Sequence, residues 1–326
     1  SMIFGGISGP AIADSAAIGS VMIKNMSREG YNTAFAAGLV AAAGTIGIII
    51  PPSIPMLIYG FVGNVSVADL FLGGMVPGII FGAFFMGVCY YVGKSTNCDP
   101  GGRRTSLQEL TSSFIGTAPA LFMPVLILGG IFTGWVTPTE AAALAVVYGL
   151  FVTTVVYRDF NVRDLPRLLI DSFVTSSVVM VVIGATTVLG WLITLEQMPQ
   201  ILVGFVQEMS SGPWMFLLLV NIVLLVLGLV LDPVPAILLT APLFLPTAQA
   251  FGVDPVHLGV IMTCNVAVGL FTPPVGATLY VASRISGVGV LAIARKMAPL
   301  YIAAIAALLL VTYVPIVTMG MVYLFR

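Results

Sequence analysis

Long apolar stretches separated by short clusters of charge fill almost the whole of this 326-residue sequence, and that pattern leaves few ways to fold. The stretches run at roughly 11–23, 33–62, 74–93, 113–133, 139–157, 169–194, 213–249, 257–283 and 297–323. One crossing of a bilayer takes ~20 apolar residues. Only 8% of the residues are charged, against roughly 25% in a soluble domain, so a water-facing surface cannot be assembled and an all-α integral membrane protein is expected. The net charge of −1 leaves no basic face for nucleic acid. No GxxxxGK[ST] phosphate loop occurs, which argues against an ATP-driven pump. His257 is the only histidine, so a His-rich metal site is excluded. Cys89, Cys98 and Cys264 lack CxxC spacing and read as small apolar residues or a loop thiol.

The lengths are unequal. Stretches 74–93, 113–133, 139–157 and 169–194 each suit one uninterrupted crossing. Stretch 213–249 is too long for one and is cut at Leu231-Asp232-Pro233, which predicts a re-entrant hairpin. Stretches 33–62 and 257–283 are cut by Gly44–Ser53 and Gly269–Pro274, which predicts two broken transmembrane helices. Threading the chain on this basis places Lys24, Arg28, Lys94, Arg103, Arg104, Arg158, Arg163, Arg167, Arg284, Arg295 and Lys296 on one side, leaving only Arg326 opposite. That asymmetry marks the cytoplasmic side. Segment 195–212, with Glu196 and Glu208 but no Lys or Arg, reads as an outer amphipathic connection.

The chain also resembles itself at an offset of 222 residues: Gly30 meets Gly252, Gly47 meets Gly269, Pro51-Pro52 meets Pro273-Pro274, and Pro77 meets Pro299. The threading gives the two copies opposite orientation, so an inverted repeat with two re-entrant hairpins and two broken helices is expected, organised as 1–93, a connecting 94–168 and 169–326. Such repeats mark secondary transporters, with the site near the midplane. The second copy begins near 169, so roughly fifty residues of the first are expected ahead of Ser1.

A break in lipid exposes backbone groups that persist only where they face protein, water or a ligand. Half-helix N-termini suit anions and C-terminal carbonyls suit small cations. Two constellations follow: Gly5–Pro10 with Gly44, Thr45, Gly47, Pro51, Pro52 and Ser53, and Leu231-Asp232-Pro233 with Gly269, Thr272, Pro273, Pro274 and Thr278. Asp232 and Asp14 are carboxylates in apolar surroundings, costly at mid-depth. Asp232 reads as a ligand-binding group rather than a cap, while Asp14 is balanced between a helix-start role and binding. Ser8, Ser53 and Thr272 supply hydroxyls at the breaks. His257 reads as structural, and Glu140 after Thr137-Pro138-Thr139 as a helix-start carboxylate. Trp135, Trp191 and Trp214 fall near predicted outer ends.

Gly5-Gly6-Ile7-Ser8-Gly9 with Ala13-Asp14-Ser15, then Gly44-Thr45-Ile46-Gly47 through Pro51-Pro52-Ser53-Ile54-Pro55, and Gly269-Leu270-Phe271-Thr272-Pro273-Pro274, closely resemble the large membrane subunit of TRAP transporters. The resemblance covers essentially the whole chain and implies an N-terminally truncated member of that family, with the ion-transporter fold. It implies a sodium-coupled importer of small carboxylates with elevator-type alternating access, in a bacterial or archaeal inner membrane. It also implies two partners, a periplasmic substrate-binding protein and a small four-helix membrane subunit. By the same resemblance, sodium sits at Gly6, Ser8, Gly44, Thr45, Gly47 and Pro51, and again at Asp232, Gly269, Thr272 and Pro274, with substrate near Ser8, Ser53 and Asp232. One departure is Pro10, where members often carry a further serine.

The rival reading is a stand-alone sodium- or proton-coupled anion carrier or antiporter of the wider group. An antiporter wants buried carboxylates in pairs or a basic partner, and here Asp232 stands nearly alone. An intramembrane enzyme needs two aspartates, or Ser with His, at one break, and His257 lies far from both.

Overall fold

The computed structural model describes residues 4–6, 9–96, 106–209 and 212–326, and every regular element among them is helical. In order these are α1 (Ala11–Arg28), α2 (Thr33–Gly44) running into a 3-10 turn (Thr45–Ile48), α3 (Ile54–Gly63) and α4 (Val67–Thr96). Next come α5 (Leu107–Phe132), α6 (Pro138–Phe151), α7 (Leu165–Leu195) and α8 (Met198–Met209). The rest are α9 (Pro213–Gly228), α10 (Pro233–Ala250), α11 (Pro255–Gly269), α12 (Ala277–Ser286), α13 (Val290–Lys296), α14 (Ala298–Tyr313) and α15 (Ile316–Phe325).

Val67–Thr96, Thr111–Phe132, Pro138–Val156, Val162–Leu195 and Pro233–Ala250 are each long and apolar enough to cross a bilayer. The uninterrupted stretches of the sequence thus become continuous helices, and the three interrupted ones are divided where Gly and Pro cluster. Stretch 297–323 is also divided, because α14 and α15 meet at 53°. Pro315 has no N–H to give and pushes Val314 out of the helical region, to φ −121° and ψ 82°.

Helix starts follow local chemistry. Asn32 accepts from the backbone N–H of Ala34 and Phe35 at the head of α2, and Asp254 accepts from Val256 at the head of α11. Thr137 and Glu140 close a capping box on α6, with Thr137 N–H donating to Glu140 Oε2 at 2.7 Å, which gives Glu140 the helix-start role read from its position. The elements also share the 222-residue offset: α1 and α10 are both 18 residues long and start 222 apart, as do α2 and α11. Gly30 and Gly252, related by that offset, both hold positive φ. Pro51-Pro52 and Pro273-Pro274 are both cis.

Two compact units divide the chain, one of residues up to 100 with Thr186–Arg326, the other Gly101–Ala185. In the first, α11 is the central element: every residue from Val256 to Gly269 is buried, against α3, α4, α9, α10, α14 and α15. A helix apolar on all sides can only be surrounded in this way. Ala-rich α2 packs closely on α1, α12 and α13, as small residues permit between membrane helices. Arg326 pairs with Asp69 and ties α15 to the start of α4. In the second unit α5 packs on α6, and Tyr148 donates to the Pro119 carbonyl at 2.8 Å. Phe114, Ile115, Val146, Val147, Phe173 and Val181 there are exposed, as apolar side chains are when they meet lipid or another membrane helix.

Candidate functional site

At the first break the main chain is brought together by glycines. A Cβ on Gly47 would lie 2.4 Å from Asp14 Oδ2 and 2.9 Å from the Gly5 Cα, and one on Gly5 would lie 2.3 Å from the Gly47 Cα. A Cβ on Gly44 would meet Ser15 Oγ at 2.2 Å and the Ala11 carbonyl at 3.1 Å. These glycines therefore let the start of α1 and the segment before it press directly on the interrupted end of α2. Asp14 and Ser15 are fully buried there. Gly5, Gly6, Gly44, Thr45, Gly47 and Pro51 are buried as well. Thr45 Oγ1 donates to the Ala42 carbonyl at 2.8 Å. Ser53, almost wholly buried, donates to the Ile48 carbonyl at 2.5 Å and caps α3 through Met56 N–H. Its hydroxyl thus closes the break from both ends. Ser8 lies outside the described residues.

The second break is built likewise. A Cβ on Gly269 would fall 2.5 to 2.6 Å from the backbone C, Cα and O of Gly228, so α9 and α11 touch main chain to main chain where both end. Thr272 donates to the Val268 carbonyl at 2.6 Å, and Thr278 to the Leu270 carbonyl at 3.0 Å. Carbonyls released by the interruption are answered by hydroxyls. Pro274 is exposed. Asp232 is the N-cap residue of α10, yet its side chain makes no capping bond and is exposed. The cap reading of this residue has no hydrogen bond to support it.

The structure brings Asp14, balanced in the sequence between a helix-start role and binding, to the first break, and adds Ser15 and Asn265 beside the two breaks. Asp14 and Ser15 were visible as a polar pair inside an apolar run. Asn265 had a weaker signal, a lone amide in a helix otherwise nearly all apolar; it is fully buried one turn before Gly269. His257 packs as its sequence context suggests: Nδ1 is 2.7 Å from Thr318 Oγ1 and Nε2 is 3.1 Å from the Thr312 carbonyl. Cys89 and Cys264 are free thiols. Among the described residues no group of three or more His, Cys, Asp or Glu side chains gathers as a metal centre would require. The breaks instead gather hydroxyls and main-chain groups, Thr45 and Ser53 at the first and Thr272 and Thr278 at the second.

Residues 1–317 match the family described as the tripartite ATP-independent periplasmic transporter, DctM component. The chain is 42% identical to the C4-dicarboxylate TRAP transporter large permease protein DctM of Pseudomonas aeruginosa, over 98% of this chain and 75% of that protein. It is 38% identical to the sialic acid TRAP transporter large permease protein SiaM of Vibrio cholerae, over 100% of this chain and 76% of that protein. It is 37% identical to the isethionate TRAP transporter permease protein DctMQ of Oleidesulfovibrio alaskensis, over 98% of this chain and 50% of that protein. With apolar helices, interrupted pairs and family profile in agreement, the chain belongs to the DctM family of TRAP transporters, as a multi-pass membrane transport subunit and not an enzyme.

Proposed function

We propose that this subunit imports small carboxylates across a bacterial inner membrane, driven by sodium and fed by a periplasmic substrate-binding protein, with a small four-helix membrane subunit at its side. The observation that carries the reading is the pair of breaks, 222 residues apart, each with a glycine pressed on a neighbouring backbone, Gly47 on Gly5 and Gly269 on Gly228. Relatives named for C4-dicarboxylate and sialic acid supply the substrate class.

In this reading the two halves are inverted repeats, 1–93 and 169–326 joined by 94–168. The segment before α1 with α1, and α9 with α10, form the re-entrant hairpins. Sodium is held at the first break by Gly6, Ser8, Gly44, Thr45, Gly47 and Pro51, and at the second by Asp232, Gly269, Thr272 and Pro274. Substrate lies between the hairpin tips near Ser8, Ser53 and Asp232, where half-helix N-termini favour a carboxylate. An elevator movement of the hairpins and broken helices then carries ions and substrate together. Cations neutralise the substrate's charge for the passage, and any surplus positive charge gains about 2.3 kcal/mol per 100 mV of membrane potential.

The test is uptake into proteoliposomes containing the full-length permease with its small subunit, with binding protein outside and an imposed sodium gradient. Sodium-driven accumulation of a C4-dicarboxylate or sialic acid is expected. Equal uptake under a proton gradient without sodium, or without the binding protein, would instead favour the stand-alone carrier.

A further inference from the structure

A buried polar file crosses the most apolar part of the first unit. Asn221 of α9 donates through Nδ2 to Thr312 Oγ1 of α14 at 3.1 Å, and Asn221 Oδ1 accepts from Asn265 Nδ2 of α11 at 2.7 Å. Asn265 Nδ2 also donates to the Ile261 carbonyl at 2.9 Å. Turning the Asn265 amide over would set oxygen against two acceptors, so its orientation is decided by its neighbours. The outcome is that Asn265 Oδ1, fully buried, receives no hydrogen bond from any described residue. An amide oxygen left bare in such surroundings calls for a partner that the described residues do not supply.

Its place in the fold says which partner. Asn265 stands one helical turn, about 6 Å, before Gly269 on the same face of α11, and a Cβ on Gly228 would lie 3.8 Å from the Asn265 backbone carbonyl. Between Arg167 and Arg284 the sequence has no Lys or Arg, so no fixed cation of this stretch repels an ion there. At the other end of the file Thr312 lines a cavity of about 290 Å³ together with Asp254, His257, Trp214 and Tyr313. The cavity has room for several waters and brings polar groups within one hydrogen-bonded step of Asn221.

We propose that the side-chain carbonyl of Asn265 is an oxygen ligand of the cation carried at the second break, with Asn221 and Thr312 as the positioning residues that aim it. This rests on the sodium-coupled reading above and adds to it a side-chain ligand on α11, outside the Gly269–Pro274 interruption. The rival account is that the file only glues α9, α11 and α14 together, as amides do between membrane helices. Glue changes stability equally at all salt concentrations, whereas a ligand changes the dependence on sodium.

The experiment follows Tm of the purified full-length permease with its small subunit, titrated with sodium chloride against choline chloride at constant ionic strength. In the wild type Tm rises with sodium. In Asn265→Ala the half-saturating sodium concentration is expected to rise at least tenfold, and in Thr312→Val severalfold. Asn265→Asp, which keeps an oxygen in place, should recover most of the loss. Asn265→Ser covers the case in which the alanine variant does not survive purification, and should show severalfold weaker sodium dependence with an altered lithium-to-sodium preference. A sodium-responsive wild type with an unchanged midpoint in the Ala or Ser variant overturns the assignment of Asn265 alone. A wild type whose Tm ignores sodium overturns the sodium-coupled reading beneath it.

Discussion

Glycines at the breaks serve contact rather than flexibility. Gly269 faces the backbone of Gly228, which has no side chain to swing aside, so Gly269→Ala should cost about 1–3 kcal/mol through overpacking and abolish uptake. Gly47→Ala meets Asp14 Oδ2 and the Gly5 Cα, and should act similarly at the first break. Gly116 lies inside α5, where an added Cβ would find nothing within 4 Å, so Gly116→Ala should be neutral or slightly stabilising. Thermal unfolding of the three purified variants compares them directly, and equal Tm values would refute the close-contact argument. Asp232 tests the opposite property. Its side chain holds no cap, so Asp232→Ala should leave Tm within about 0.5 kcal/mol of wild-type stability, the usual range for surface changes, while uptake falls at least tenfold. Retained sodium-driven uptake would remove Asp232 from the site.

Between elements, orphaned backbone groups decide where helices may stop. The bend between α14 and α15 leaves the Thr312 carbonyl to His257, and Thr318 meets the other ring nitrogen. His257→Leu strands that carbonyl, and the expected loss is about 1–3 kcal/mol in thermal unfolding. The direction of the chain is tested by labelling in a background without Cys89, Cys98 and Cys264. With Lys and Arg gathered on the cytoplasmic side, Asp159→Cys should react with an impermeant maleimide only from the cytoplasm, and Ala250→Cys at the end of α10 only from outside. Both positions are exposed. Labelling of Ala250→Cys from the cytoplasm would turn α9 and α10 from a re-entrant hairpin into a single crossing broken near Asp232.

For the whole molecule the controlling fact is how little of it meets water. No connection between the apolar stretches reaches twenty residues, too little to build a module that captures scarce solute. On the proposed tripartite reading a periplasmic binding protein supplies the capture step, and it is expected to dock on the outer segments 195–209 and 250–256. Reconstitution with each partner omitted in turn should reduce uptake to background. Comparable uptake by the permease alone would end the tripartite account for this protein.

Hydrophobicity, charge asymmetry and the placing of Gly and Pro are properties a chain carries before it folds. They determined that this one is an all-helical membrane protein, where its helices run unbroken, and where the 222-residue offset lies. Gly44, Gly47 and Gly269 were legible as breakers because only Gly and Pro interrupt so apolar a run. Three-dimensional contact decided the rest. Asp14 joins the first break because Gly5 and Gly47 leave room for its carboxylate, a fact that depends on two segments separated by the length of α1 and α2. Asn265 stands out only once Asn221, 44 residues before it and itself held by Thr312 of α14, joins the Ile261 carbonyl in claiming the nitrogen of its amide and leaves the oxygen bare. The bend at Pro315 is not legible in the sequence, because a proline in a membrane helix is tolerated or not according to which neighbour takes the freed carbonyl, and that neighbour, His257, is brought there by tertiary packing alone.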